Sequence, residues 1–238
     1  MSHRFTTAVL LLTALVVSTA VVGAPLRHIH GHITSRGVLG LAPVLFYDAP
    51  DPEQVDASIL LTTGLGSGFD VYAAWGYTLP ALDADGESHD IWLVPRVRLA
   101  EGLAFGAGVF LPLEDDNDFG LQPQLHYADA FGERVHLSVN AGYTHHFADP
   151  AEDGTLYLWS APEVALSQRI SIFCELDVDY DLEAEEDAFG FELVPGATLH
   201  LGGAGHDMIT VGVVIPVAPD DDEYTIGAWY YTLLHLFE

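Results

Sequence analysis

The chain has 238 residues, half of them hydrophobic, with seven arginines, no lysine and 35 acidic residues, giving a formal net charge of −28. That apolar content excludes a disordered acidic tail, the scarcity of cations argues against a nucleic-acid partner, and a single cysteine, Cys174, rules out an intramolecular disulfide or a multi-cysteine metal site. A mean hydropathy of +0.26 beside so much acid requires the two classes of residue to be kept apart.

Residues 1–24, MSHRFTTAVLLLTALVVSTAVVGA, carry one charge, Arg4, then an apolar run from Ala8 to Val17 and small residues. This predicts a secretory signal peptide over 1–20, cleaved after Ala20, or less favourably after Ala24, where Pro25 adjoins the scissile bond. The rival reading is an uncleaved membrane anchor. Residues 21–32 are expected to form a periplasmic N-terminal segment. His28, His30 and His32 are spaced for one strand face and for a metal, but they read as a solvated stretch, and neither a metal nor a cofactor is assigned. No later stretch approaches the roughly 18 to 20 apolar residues of a membrane helix. Any further membrane crossing must then be made by a closed β-barrel.

From Gly31 onward the pattern is period two, in about twelve segments near 33–47, 57–66, 69–80, 89–99, 103–113, 119–129, 134–147, 155–166, 170–182, 189–201, 207–217 and 224–237. In 135–147 the apolar set Val135, Leu137, Val139, Ala141, Tyr143 opposes His136, Ser138, Asn140, Gly142, Thr144. In 170–182 it is Ile170, Ile172, Cys174, Leu176, Val178, Tyr180 against Ser171, Phe173, Glu175, Asp177, Asp179, Asp181. The last segment is ambiguous: either Trp229, Tyr231, Leu233 or Ile226, Ala228, Tyr230 can take the apolar face.

The connections alternate in character. Acidic loops (DAPDPEQVD, ALDADGESHD, EDDND, ADPAEDG, EAEED, APDDDE) follow the odd segments, and short turns such as Ser67-Gly68 and Ala100-Glu101-Gly102 follow the even ones. In an up-and-down meander this makes one charged, looped end and one short-turn end. Tyr47, Tyr77, Phe119, Phe147, Tyr180, Phe189 and Tyr224 fall beside the acidic loops, and Phe69, Phe105, Tyr127 and Phe131 nearer the turns, as two lipid-interface girdles would. Pro95, Pro123, Pro162 and Pro195 recur mid-segment, each predicting a bulge or local break.

The leader, the alternating segments of about ten residues, the loop asymmetry and the aromatic last segment YTIGAWYYTLLHLF together resemble the Gram-negative outer-membrane β-barrel superfamily. That superfamily ends on an aromatic residue; here Phe237 is penultimate and Glu238 follows. The resemblance implies an all-β fold, a single up-and-down antiparallel transmembrane barrel of twelve strands (range ten to fourteen) over 33–238. It also implies outer-membrane residence, lipid contact and the barrel-insertion machinery as a partner.

In that register the lumen holds Arg96, Arg98, Gln122, Gln124, His126, His136, His146, Glu163, Glu192 and His200, with Glu175, Asp177, Asp179 and Asp181 as a carboxylate ladder. Ladders of one sign in a wet bore set ion selectivity. The expectation is a porin-like channel for small cationic or neutral solutes, against a closed structural barrel in which Arg96 and Arg98 pair with these acids across a plugged bore. A third reading uses His136 and Ser138, where a base two residues from a hydroxyl can activate it. This stretch looks locally like the His-x-Ser pair of outer-membrane lipid-hydrolysing enzymes, but it faces the lumen and lacks the Asn directly after Ser. A soluble secreted β-sandwich is the remaining alternative. The acidic loops can bridge divalent cations, though none has the spacing of a calcium loop.

Overall fold

Alternation of period two over most of a chain is satisfied by strands whose two faces meet different surroundings. The computed structural model describes residues 33–49, 54–80, 87–113, 119–147, 154–182, 184, 188–201, 207–217 and 224–235. The expected signal peptide, the His28/His30/His32 stretch and much of the acidic loops lie outside the described residues.

The strands are β1 (Val38–Ala49), β2 (Gln54–Gly66), β3 (Phe69–Pro80), the two-residue β4 (Glu87–Ser88), β5 (Ile91–Ala100), β6 (Leu103–Leu111) and β7 (Gly120–Phe131). They continue as β8 (Val135–His146), β9 (Thr155–Ala165), β10 (Ile170–Asp181), β11 (Phe189–His200), β12 (Asp207–Pro216) and β13 (Tyr224–His235). β4 only extends the edge of β3 at Tyr77 and Thr78. The other twelve pair antiparallel with their sequence neighbours, and β13 returns to β1, closing an up-and-down barrel. Three of the short turns use a glycine at positive φ, Gly68 (109°), Gly102 (69°) and Gly132 (76°), a region that tight connections need and that other residues enter at a cost.

Carried round the closed wall, the registers climb by about fourteen residues per circuit, which tilts the strands to about 40° and sets a backbone radius of roughly 12 Å. Large apolar side chains cover the outside: Leu121, Leu125, Leu156, Leu158, Ile172, Leu176 and Val211 are all exposed. Phe69, Phe105 and Phe131 sit on this wall toward the short turns, and Trp75, Phe119, Phe147, Tyr180, Phe189 and Tyr224 toward the loops. In the last strand, Trp229 pairs with the inward Thr210 and is buried, while Ile226 is exposed, so Ile226 and Ala228 take the outer face.

One expectation changes and another is narrowed. The first strand begins at Val38, not near 33; Ile33–Arg36 leave the wall because the chain turns back at Gly37. The mid-strand prolines cause breaks without bulges. Pro95, Pro123, Pro162 and Pro195, and also Pro43, keep continuous pairing with one neighbour, while a two-residue gap opens toward the other, with the register unchanged across it. In an antiparallel ladder each N–H serves one side only, so the missing proline donor interrupts one seam and spares the other.

Candidate functional site

The barrel interior is polar because the residues between the outward apolar ones are polar. On β10, outward Leu176, Val178 and Tyr180 leave Glu175, Asp177, Asp179 and Asp181 to face in. Glu175 and Asp177 have no exposed surface, Asp179 is half-buried and Asp181 is open at the loop end. Asp177 lies in register between Trp159 of β9 and Glu192 of β11, and Asp179 between Tyr157 and Gly190. Trp159 Nε1 donates to Asp179 Oδ1 at 3.2 Å, and the Tyr157 and Trp159 rings lie 4.6 Å apart. Like charges directly opposite on neighbouring strands oppose pairing, and β9, β10 and β11 themselves contribute no Arg or Lys to this part of the wall.

The opposite wall is neutralised. Arg96 on β5 donates from Nε to Asp70 Oδ1 at 3.0 Å and from Nη2 to Asp70 Oδ2 at 2.7 Å, with both side chains fully buried. Its guanidinium carbon is 4.3 Å from the centroid of the Tyr72 ring. Arg96 and Asp70 are direct cross-strand partners in the β3–β5 register, which spans the long 81–90 connection and was not readable from the chain. Asp70 stands with Tyr72, Ala74 and Gly76 on the non-apolar face of its segment, yet it is one of the interior residues that sequence reasoning left out of the lumen set. Arg98 is exposed at the short-turn end.

Between these walls, Tyr157 Oη donates to Gln124 Oε1 at 3.0 Å, Gln124 Nε2 reaches Gln122 Oε1 at 3.4 Å, and Gln122 Nε2 donates to Thr144 Oγ1 at 2.9 Å. His126, fully buried, has Nδ1 3.1 Å from Asn140 Oδ1. At the short-turn mouth Glu163 is half-buried, with His136 beside it in register, and a cavity of about 550 Å³ is lined there by Glu133, Arg134, His136, Glu163, Ser171 and His200. Ser171 Oγ and His200 Nε2 are 3.5 Å apart. His136 and Ser138 both belong to the inner set; Ser138 is buried in register between Ala128 and Ala161, away from the outer wall. Among the described residues no group of three or more metal-ligating side chains forms.

Two of the solved structures that share this architecture are porins. The NanC porin, in a rhombohedral crystal form, superposes with a TM-score of 0.59 at 8% identity, over 80% of this chain and 98% of that one. The fold is that of a porin barrel. The KdgM porin, in complex with disordered oligogalacturonate, superposes with a TM-score of 0.55 at 9% identity over the same shares of the two chains. No protein-family model and no curated protein sequence matches the chain.

Proposed function

We propose that the protein is an outer-membrane, porin-like channel that passes small solutes passively and prefers cations, with Asp177, Asp179 and Glu192 supplying the selective charge. The observation that carries this reading is the acid-on-acid register of Asp177 and Glu192 on a stretch of inner wall without Arg or Lys. Such an arrangement lowers stability and creates a negative field, which in a bore concentrates cations. The apolar outer wall and the likeness to porin barrels support membrane residence, with lipid outside, small cationic or neutral solutes inside and assembly through the barrel-insertion machinery. Divalent cations are expected at the acidic loops, Glu163, Glu175, Asp181 and His126 along the bore, and Arg96 and Arg98 as its positive counterweight.

A second reading, a closed structural barrel, has its own observation: Asp70, Arg96, His126, Glu175 and Asp177 show no surface to water. The lipid-hydrolase reading has no comparable support, since Ser138 is buried on the inner face.

Single-channel recording of refolded protein in a planar bilayer under a salt gradient separates the readings. A reversal potential of cation-selective sign that shrinks in Asp177→Asn/Asp179→Asn is expected. Selectivity unchanged by the double substitution removes the ladder from the mechanism, and silence from a correctly folded barrel favours the closed one.

A further inference from the structure

The chain reaches β1 from inside the barrel. Upstream of Gly37, at φ 79°, it turns sharply, with the Val38 amide donating to the Ser35 carbonyl at 3.1 Å. Ile33–Arg36 run along the inner face of β2. Arg36 bridges Gly64 in the parallel sense, opposite to the pairings of the wall. A Cβ on Gly64 would overlap the Thr34 and Ser35 carbonyls, so the absent side chain is what lets the segment lie against the strand. Farther in, the Thr34 amide donates to Asp70 Oδ2 at 2.7 Å, and Thr34 Oγ1 is 2.9 Å from Thr62 Oγ1. Asp70 and Thr62 are inner-face residues, fully or almost fully buried, and Ile33 itself is only 7% exposed. Because β2 descends toward the short turns and this segment runs parallel to it, the Ile33 end points up the bore.

The attachment differs in kind from the wall. Each wall strand is held by two ladders, whereas among the described residues this segment has one bridge, a hydroxyl pair with Thr62, a side-chain hydrogen bond with Tyr72 and one bond to a carboxylate. Local openings are drawn from such weakly held elements. We propose that Ile33–Arg36 is a strap that narrows the bore at rest, that the Asp70 carboxylate is its latch, and that releasing the strap widens the pore. The widening rests on the channel reading above; the latch does not.

The latch can be broken without touching the Arg96–Asp70 pair. Thr34→Pro removes the amide donor. Gly64→Val reaches the same end by another route, placing a side chain where the strap lies. Both are made in full-length protein that already carries Cys174→Ser and Thr62→Cys, in phosphocholine vesicles, with folding checked by heat-modifiable gel mobility. A small water-soluble methanethiosulfonate reports access to the single thiol introduced at position 62.

Loss of a bond to a charged acceptor shifts docking about tenfold or more, so labelling should accelerate by about that factor in both variants. The conductance step should rise about twofold or more as the bore widens. Labelling unchanged in both folded variants overturns the latch. Faster labelling with an active but unchanged conductance overturns the narrowing role. Faster labelling in protein that never conducts supports the latch and overturns the channel reading instead.

Discussion

The Arg96–Asp70 pair makes a quantitative test of how the interior is held. Its two hydrogen bonds, at 3.0 and 2.7 Å, join side chains with no exposed surface, and the guanidinium also stacks over Tyr72. Arg96→Met leaves the Asp70 carboxylate buried beside apolar surface. Breaking a buried pair from one side costs about 3 to 5 kcal/mol, and loss of the ring contact adds about 1 kcal/mol. Asp70→Leu strands the guanidinium and also removes the acceptor for the Thr34 amide, a further 1.5 to 3 kcal/mol, roughly, for a bond to a charged group. The double variant Arg96→Met/Asp70→Leu leaves neither charge behind, so it should be destabilised by only about 2 kcal/mol, chiefly through Thr34. Urea unfolding in vesicles, followed by tryptophan fluorescence, measures all three. With a slope of about 3 kcal/mol per molar, each single substitution should lower the midpoint by about 1 M or more, and the double by less than either. Singles that shift it by under about 0.3 M, or a double equal to their sum, would refute the reasoning.

Two further outcomes follow from the two faces of the wall. Leu125, 45% exposed midway along β7, should lose about 2 to 4 kcal/mol when changed to Arg if it faces hydrocarbon; folding yield on dilution from urea into vesicles reads this, and a tolerated Arg would mean that the outer wall meets water. On the inner face, a Cβ at Gly196 would overlap the Phe173 ring and crowd the Val211 carbonyl. Gly196→Val should therefore cost about 1 to 3 kcal/mol and lower the temperature of the gel-mobility shift, with Phe173→Ala restoring part of it.

Strand number, the two faces and the two ends were legible because a closed barrel with an apolar outside and a polar inside writes them as period-two alternation and as alternating loop composition. The ladder on β10 and its inward face could be read directly, since Leu176, Val178 and Tyr180 leave Glu175, Asp177 and Asp179 nowhere else to point. What the alternation could not carry was register between strands joined by long loops. Asp70 meets Arg96 only because β3 and β5 pair as they do across a connection of ten residues, and nothing in either segment specifies that offset. The strap was illegible for a related reason: Ile33–Arg36 continues the apolar-polar rhythm of the first segment, and only the reversal at Gly37 lifts it off the wall.

The interior is divided by charge in a way that stability alone would not select. On the β3–β5 side, one acid and one Arg neutralise each other with matched geometry, and the Tyr72 ring shields the guanidinium. On the β9–β11 side, two acids face each other across a ladder seam, a pairing that costs rather than gains some tenths of a kcal/mol. A barrel selected only to be closed and inert gains nothing from the second arrangement; Asn or Thr at Asp177 would serve it better. In the channel proposed above, the neutral side anchors the strap, and the half-buried Asp179 and Glu192, beside the buried Asp177, are the acids a passing cation would meet. The strap and the ladder then act on different properties of one path, its width and its sign. Thr34→Pro should accordingly change conductance with little effect on reversal potential, and Asp177→Asn/Asp179→Asn the reverse.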